Sequence, residues 1–586
     1  MAEPSSRKRI VILGGYGVFG GKLAETLLRH EHLEVIVAGR SLQKTEAFCR
    51  QHGGTAAVLD RTSPDFAASL RALRPFVTID AAGSFQTYRK APYAVAEAAL
   101  AAGSHYLDLS DDAGFTSGIA ILDEKARAAG LSVLSGVSSV PALSSVAVEA
   151  LREDFSQVDL IESAILPGNR APRGLSVIEA ILAQAGQPVA VYRDGRWVQV
   201  IGWSGLSRRR IGPEGSSGLA RRWSSFIGAP DLTLFPEVYN ARTVLFRAGL
   251  ELPLLHLGLW GLSWLVRLRL VRSLEAAALL LRTAAGWFET FGSDRGGMEV
   301  RVAGLGSDGM PLSASWTLIA EAGDGPHIPA VPGAIMCKHL CEGSVSAGAR
   351  PCLGEFTLAD VRQATAHLNV CTFRATQTEP VLFQKALGAI FNALPAPIRA
   401  LHTAHDRRQW AGEARVTRGT SRLGRLLCRI VGFPPAADAT PLTVTIERQD
   451  DKELWLRNFG GKTFRSVLSL SGAPGSGVVQ ERFGPTTFNI HLNLKDGALA
   501  YPVRSGKLLG LPLPRWLLPV SEAVETAPDD TFRFDVEISL PGLGRIVRYQ
   551  GWLKPSSTQS ASQNQGKEQQ KNIVSSDNSS FDFNGF

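Results

Sequence analysis

Ile10-Val11-Ile12-Leu13-Gly14-Gly15-Tyr16-Gly17-Val18-Phe19-Gly20-Gly21 is the stretch on which the fold turns. Ile10 to Leu13 reads as a buried strand that runs straight into glycines. The turn fits G-x-G-x-x-G counted from Gly15, or G-x-x-G-x-x-G counted from Gly14. Glycine lets the backbone approach a pyrophosphate closely. The helix that starts in the turn offers unpaired N–H groups and the positive end of its dipole. Strand, glycine turn and helix in this order read as a dinucleotide-binding unit. Gly14, Gly15, Tyr16, Gly17, Val18, Phe19 and Gly20 are its candidate pyrophosphate cradle.

The next strand, Val35–Ala38, ends in Ala38-Gly39-Arg40-Ser41. An NAD-specific domain carries an acid here, about 20 positions past the fingerprint, for the ribose hydroxyls. No acid is present. Arg40 and Ser41 instead suit a 2′-phosphate through charge-assisted hydrogen bonds, so NADP is the expected cofactor. Asp60 closes a third strand, Ala56–Leu59, near the adenine position. Ala81, Ala82 and Gly83 follow a fourth, Val77–Asp80, and leave room for the nicotinamide ribose. His105, Tyr106, Asp108, Ser110 and Asp111 are read as the end of the next strand, where ligands of such sheets bind. Each of them alone is more often structural than catalytic, and no catalytic residue is assigned.

Outward from this unit, strand and helix signals alternate through residues 1–150, which implies a doubly wound parallel sheet of the Rossmann type. Residues 151–375 are mixed α/β, with strands expected at Asp159–Leu166, Met298–Gly304 and Ser313–Ala320. Helices are expected at Ser176–Ala185 and Leu252–Phe291, around an Arg/Ser/Gly-rich segment near 204–222. Residues 380–553 open with a helix, Leu382–Leu394, and continue as strands with period-two alternation: Leu442–Arg448, Phe464–Leu470, Phe488–Leu494, Phe532–Leu540 and Ile546–Leu553. That pattern reads as an antiparallel sheet with one wet face. In it Trp455, Arg457, Phe459, Glu481, Arg482 and Phe483 are candidates to line a cavity, against an ordinary core with solvated strand faces. Residues 554–586 are rich in Ser, Gln, Asn and Lys and are expected to be disordered.

Composition is that of a globular protein, 45% apolar and 20% charged over 586 residues. The net charge of +8 is too small and too dispersed for a nucleic-acid partner, though it favours anionic ligands such as phosphates or lipid headgroups. Cys337 and Cys341 are spaced for one helical turn, but no second ligand pair accompanies them. Buried thiols, with no metal, are expected. The N-terminus is polar and lacks a secretory apolar region, so a cytoplasmic location is expected. Leu252 to Val266 is shorter than the roughly 20 apolar residues a membrane span needs. With Arg267, Arg269, Arg272 and Arg282 beside it, segment 252–291 suits a buried helix or a peripheral membrane contact.

The segments VILGGYGVFGG, VIVAGRS, DAAGSFQTY, AAGSHYLDLSDD and GVSSVPALSS resemble the saccharopine dehydrogenase-like reductases. The likeness continues through GQPVAVYRDGRWVQVIGW, WTLIAEAGDGPHIPA and SAGARPCLGEFTLADV. The resemblance implies a second α/β domain for substrate and subunit contacts, a homodimer, and a segment near 330–350 that returns to the first domain. It also implies an NADP(H)-dependent oxidoreductase that reduces or oxidises a C=N or C=C bond of a small molecule. The apolar stretch Leu252–Phe291, with arginines at 267, 269, 272 and 282, points to a large, lipid-like substrate. The alternative is a non-catalytic nucleotide sensor whose last domain binds a lipid or protein partner. ALPAPIRALHTAHDRRQWAGEARVTRG, LWLRNFGGKTFRS, QERFGPTTFNIHL, LGLPLPRWLLP and RYQGWL resemble an uncharacterised domain that occurs fused to such reductases.

Overall fold

The computed structural model describes residues 7–88, 91–172, 174–213, 218–449 and 451–556. The expected disorder of the tail concerns residues that lie mostly outside this set. Lys554 and Pro555 still belong to the last strand, Gly544–Pro555.

The chain divides into two compact units, residues 1–193 with 197–379, and residues 194–196 with 380–586. In the first unit, β1 (Lys8–Leu13), β2 (Leu33–Gly39), β3 (Thr55–Val58), β4 (Val77–Asp80), β5 (His105–Asp108) and β6 (Ser132–Ser135) form a parallel sheet in the order 3-2-1-4-5-6. A seventh strand, Gly348–Pro351, extends it by pairing in parallel with β6. The helix Val331–Glu342 ahead of that strand packs on helix α1 (Val18–Leu27). The Lys8 ammonium donates to the Cys341 carbonyl at 2.6 Å. The chain order reverses between β1 and β4, which opens a crevice at the carboxyl ends of those strands.

A second, mixed sheet of nine strands is built on Phe155–Leu166, Gly296–Gly306 and Pro311–Ala320. One continuous apolar core runs from Ile10 and Leu134 of the first sheet to Val300 and Leu318 of the second. The Arg/Ser/Gly-rich segment contributes two strands, Ser207–Ile211 and the start of Leu219–Phe226. Two of its arginines are neutralised within the sheet: Arg209 reaches Glu162 at 2.8 Å, and Arg222 reaches Glu251 at 2.6 Å, whereas Arg208, Arg210 and Arg221 are exposed. The expected single helix over 252–291 is two helices, Pro253–Arg267 and Ala278–Gly286. The chain breaks between them just after Arg267, where Arg269 takes a φ of +60°. No described helix is long and apolar enough to cross a membrane.

Asp231, at the head of helix Pro230–Val238, is fully buried. It accepts from the Ser144 and Ser163 hydroxyls at 3.0 and 2.9 Å. Burial outweighs these bonds and lifts its carboxyl to about 7. The unfolded chain titrates the same group near 4, so between those values the folded state holds the extra proton. Its contribution is therefore complete below about pH 4 and is lost as pH rises through about 7. Asp231→Asn should flatten the fall in melting temperature of the first unit between pH 5 and 8, removing a dependence worth a few kcal/mol at most. An unchanged pH slope in the variant would sink this assignment.

The second unit is one antiparallel sheet of thirteen strands, from Asn493–Lys495 at one edge to Leu511–Pro512 at the other. The expected helix Leu382–Leu394 is α-helical only to Leu387 and continues as 3-10 turns.

Candidate functional site

The glycine turn is tight because the backbone folds back on itself. The Gly17 N–H donates to the Gly14 carbonyl at 2.8 Å. Gly14 has a φ of +72°, and a Cβ there would lie 2.4 Å from the Ala81 carbonyl oxygen of the neighbouring strand end. A Cβ on Gly20 would lie 2.3 Å from the Gly14 oxygen. Glycine is therefore required at both places for β1, β4 and α1 to meet. The amides of Val18, Phe19 and Gly20 stand at the N-terminus of α1, ahead of any intrahelical acceptor.

These elements open on a cavity of about 830 Å³. Gly14, Tyr16, Gly17, Val18, Phe19, Arg40, Asp60, Ala81, Ala82 and Gly83 line it. Gly15 lies buried beneath the turn, its N–H donating to the Ala38 carbonyl at 3.2 Å. Gly20 seats the helix rather than the cavity. Ser41 caps helix α2 (Leu42–His52), accepting from the Lys44 N–H at 3.4 Å. Arg40 is exposed just past β2.

Sequence reasoning missed Arg61, which also lines the cavity and stacks its guanidinium over the Tyr88 ring at 3.5 Å. The Tyr88 hydroxyl donates to the buried Asp80 at 3.2 Å. Asp60 is held in a turn by Thr62, which donates from both N–H and hydroxyl, and these bonds lower its carboxyl below the usual range.

The cluster read as one strand end separates. His105 begins β5 at the opposite end, where its Nδ1 accepts from the Ser132 N–H at 3.0 Å. Tyr106 is buried. Asp108 is fully buried, accepting from the Ser110 and Gly136 amides and the Ser135 hydroxyl, and burial raises its carboxyl to about 7. Its partners place it inside the fold as a brace. Asp111 alone of the five lines the cavity, and Gln86 donates to it at 3.3 Å. Its side chain is exposed on the cavity side, and the density of protein around the carboxyl raises it from its ordinary value. Ser138, Ser139 and Val140 also line the cavity; they lie in GVSSVPALSS, which carries the resemblance without pointing to a role in the site.

Beyond the nucleotide-shaped end, the cavity continues between Ile165, Val177, Ile181, Phe246, Met298 and Leu318. Among the described lining residues the only cations are Arg40 and Arg61.

Residues 10–134 match the family model of the saccharopine dehydrogenase NADP binding domain. The first domain is of the saccharopine dehydrogenase type. That domain type holds a nicotinamide cofactor, and the match supports an NADP-binding oxidoreductase domain at residues 10–134. Residues 394–553 match a domain of unknown function, DUF4166. No curated protein matches the sequence. Among solved structures, apo saccharopine dehydrogenase (L-Glu forming) from Saccharomyces cerevisiae is 15% identical. That match covers 63% of this chain and all of the other, at a TM-score of 0.47. A probable dehydrogenase from Thermotoga maritima is 9% identical over 61% of this chain and 93% of its own, with a TM-score of 0.30. Biliverdin reductase from Synechocystis sp. PCC 6803, in complex with biliverdin and NADP+, is 12% identical over 58% and 93%, with a TM-score of 0.28.

Proposed function

We propose that this saccharopine dehydrogenase-like chain is an NADPH-dependent reductase of an apolar, lipid-like substrate. The continuity of its cavity carries the reading: one end is a glycine cradle flanked by Arg40 and Arg61, and the other is walled by aliphatic and aromatic side chains. Gly14, Gly17, Val18 and Phe19 hold the pyrophosphate, Arg40 takes the 2′-phosphate, and Ala81 to Gly83 border the nicotinamide ribose. The bound cofactor supplies a hydride from nicotinamide C4 to a C=C or C=N carbon. The chain's own part is to orient both partners, exclude water and supply a proton. A soluble amino-acid conjugate would want fixed cations for its carboxylates, and the described walls of the far end offer none.

The same reading includes contact with an anionic lipid surface. Helices Pro253–Arg267 and Ala278–Gly286 expose Leu254, Leu280 and Trp287 at 64%, 71% and 76%, with Trp264 beneath Arg267 at 4.4 Å. Apolar tips with Arg269, Arg272 and Arg282 alongside suit an interface between acyl chains and headgroups. The second helix packs on Leu175–Gln184, whose Val177 and Ile181 line the cavity. The test is NADPH consumption by the full chain with long-chain enoyl compounds and with amino-acid imines, together with flotation on phosphatidylglycerol vesicles. Turnover of the enoyl compounds is expected, as is flotation at low salt that Trp264→Ser with Trp287→Ser abolishes. Turnover of imines alone would overturn the substrate class. No turnover of either, with NADPH still bound, would favour a nucleotide sensor.

A further inference from the structure

The sheet of the second unit curls so that alternate residues of most of its strands face one interior. Leu442 and Val444, Trp455 and Arg457, and Ala523 and Glu525 are such pairs, each two positions apart on its strand. The interior holds a cavity of about 340 Å³, within the range of small-molecule sites. A curled antiparallel sheet of this kind either fills its interior with side chains or encloses a ligand space. Here the space is open and mainly apolar, and Trp455, Arg457, Phe459, Glu481 and Phe483 all line it, whereas Arg482 is exposed.

Polar groups gather at one place in this apolar interior. His402 is fully buried and stacked on Phe383 at 3.7 Å, with its Nε2 2.8 Å from Glu525 and 3.0 Å from the Tyr501 hydroxyl. Arg457 donates to the Ser466 hydroxyl at 2.8 Å and to Glu481 at 3.3 Å. Among the described lining residues Arg457 is the only cation, and its charge is already matched by Glu481. An anionic ligand would therefore enter without a counter-charge, at a heavy desolvation cost. An uncharged ligand with one hydroxyl, carbonyl or amide would find donors and acceptors ready.

The mouth has its own character. Leu513, Leu517 and Pro519 line the cavity, while their neighbours Leu511 and Trp516 are 72% and 68% exposed. An apolar rim around an apolar cavity is a route for a molecule that avoids water.

We propose that this unit binds an elongated, uncharged, lipid-like molecule, taken up past the Leu511–Pro519 rim and anchored by one polar group at Tyr501, Glu525 and the Arg457–Glu481 pair. This assignment stands whether or not the first unit reduces a lipid.

The probe is N-phenyl-naphthylamine, a neutral fluorescent naphthalene, titrated into the full chain saturated with NADPH. Its anionic relative, anilinonaphthalene sulfonate, serves as the contrast. The neutral probe should bind saturably and the sulfonate about tenfold or more weaker. Ala523→Phe and Val536→Phe, which fill the interior, should each weaken the neutral probe about tenfold or more at unchanged melting temperature. Because an overfilled variant can fail to fold, the wild-type chain is also labelled with a diazirine-bearing alkanol and mapped by peptide mass spectrometry. Labels on the cavity's lining residues, such as Leu442, Phe488, Val503 and Val536, displaced by dodecanol, support the site. Equal affinity for both probes, indifference to both filled variants, or no displaceable label on those lining residues would overturn it.

Discussion

Arg40→Ala is expected to weaken NADPH binding roughly tenfold to a hundredfold and leave NADH nearly unchanged, because a lost charged hydrogen-bond partner costs about 1.5–3 kcal/mol. The two cofactors differ only at the 2′-phosphate, so an arginine that touches that group alone must discriminate between them. Arg40 is exposed at the end of β2, and among the described residues it forms no ion pair, unlike Arg209 and Arg222 of the second sheet. Arg61 sits past β3 on the same cavity wall, but its guanidinium is engaged with the Tyr88 ring. It is positioned to take over part of the phosphate's charge when Arg40 is gone. Arg40→Ala with Arg61→Ala should therefore abolish the preference for NADPH altogether, beyond the effect of Arg40→Ala. Isothermal titration with both cofactors decides the matter. Equal losses for NADPH and NADH in Arg40→Ala would move the 2′-phosphate elsewhere.

The first sheet was legible because its signals are local and agree with one another. A short apolar strand, a glycine turn and a helix leave few other ways to fold residues 10–27, and β4 falls where its apolar run lies, at Val77–Asp80. The middle was less legible for an electrostatic reason. Strands Ser207–Ile211 and Leu219–Phe226 carry Arg209 and Arg222, which read as solvent-facing until Glu162 and Glu251, distant in sequence, are seen to pair with them. The break after Arg267 was hidden by the apolar residues on both sides of it. In the candidate site, the cradle could be read because glycine is forced by backbone approach. The wall at Ser138 to Val140 comes from the turn after β6 and the start of the helical segment Ser139–Leu143, and its local pattern alone does not point toward a cavity. His105 was placed at the wrong end of β5 because the strand is only His105–Asp108, so a shift of a few residues carries a side chain across the sheet.

Reduction of a C=C or C=N bond adds a hydride and a proton, and the cofactor supplies only the hydride. The proton must come from a group that faces the reacting bond and holds a proton at working pH. Three described carboxylates line the cavity: Asp60, Asp111 and Asp294. Thr62 binds the Asp60 carboxylate and lowers its proton affinity, which makes it a poor donor. Asp111 follows β5, beside the Gly83–Ser84 turn, and the density of protein around its carboxyl raises its proton affinity. Gln86, which also lines the cavity, donates to one of its oxygens at 3.3 Å. Asp111→Asn should therefore lower kcat for the reductive reaction on the order of a hundredfold to ten-thousandfold, with NADPH affinity little changed. The sign of the pH dependence follows: the acid form is the active one. The wild-type reductive rate should fall as pH rises through the Asp111 pKa, and Asp111→Asn should lose that limb. Asp294→Asn is the control and should keep the limb. An Asp111→Asn enzyme with unchanged kcat and an unchanged profile would assign the proton to Asp294 or to solvent.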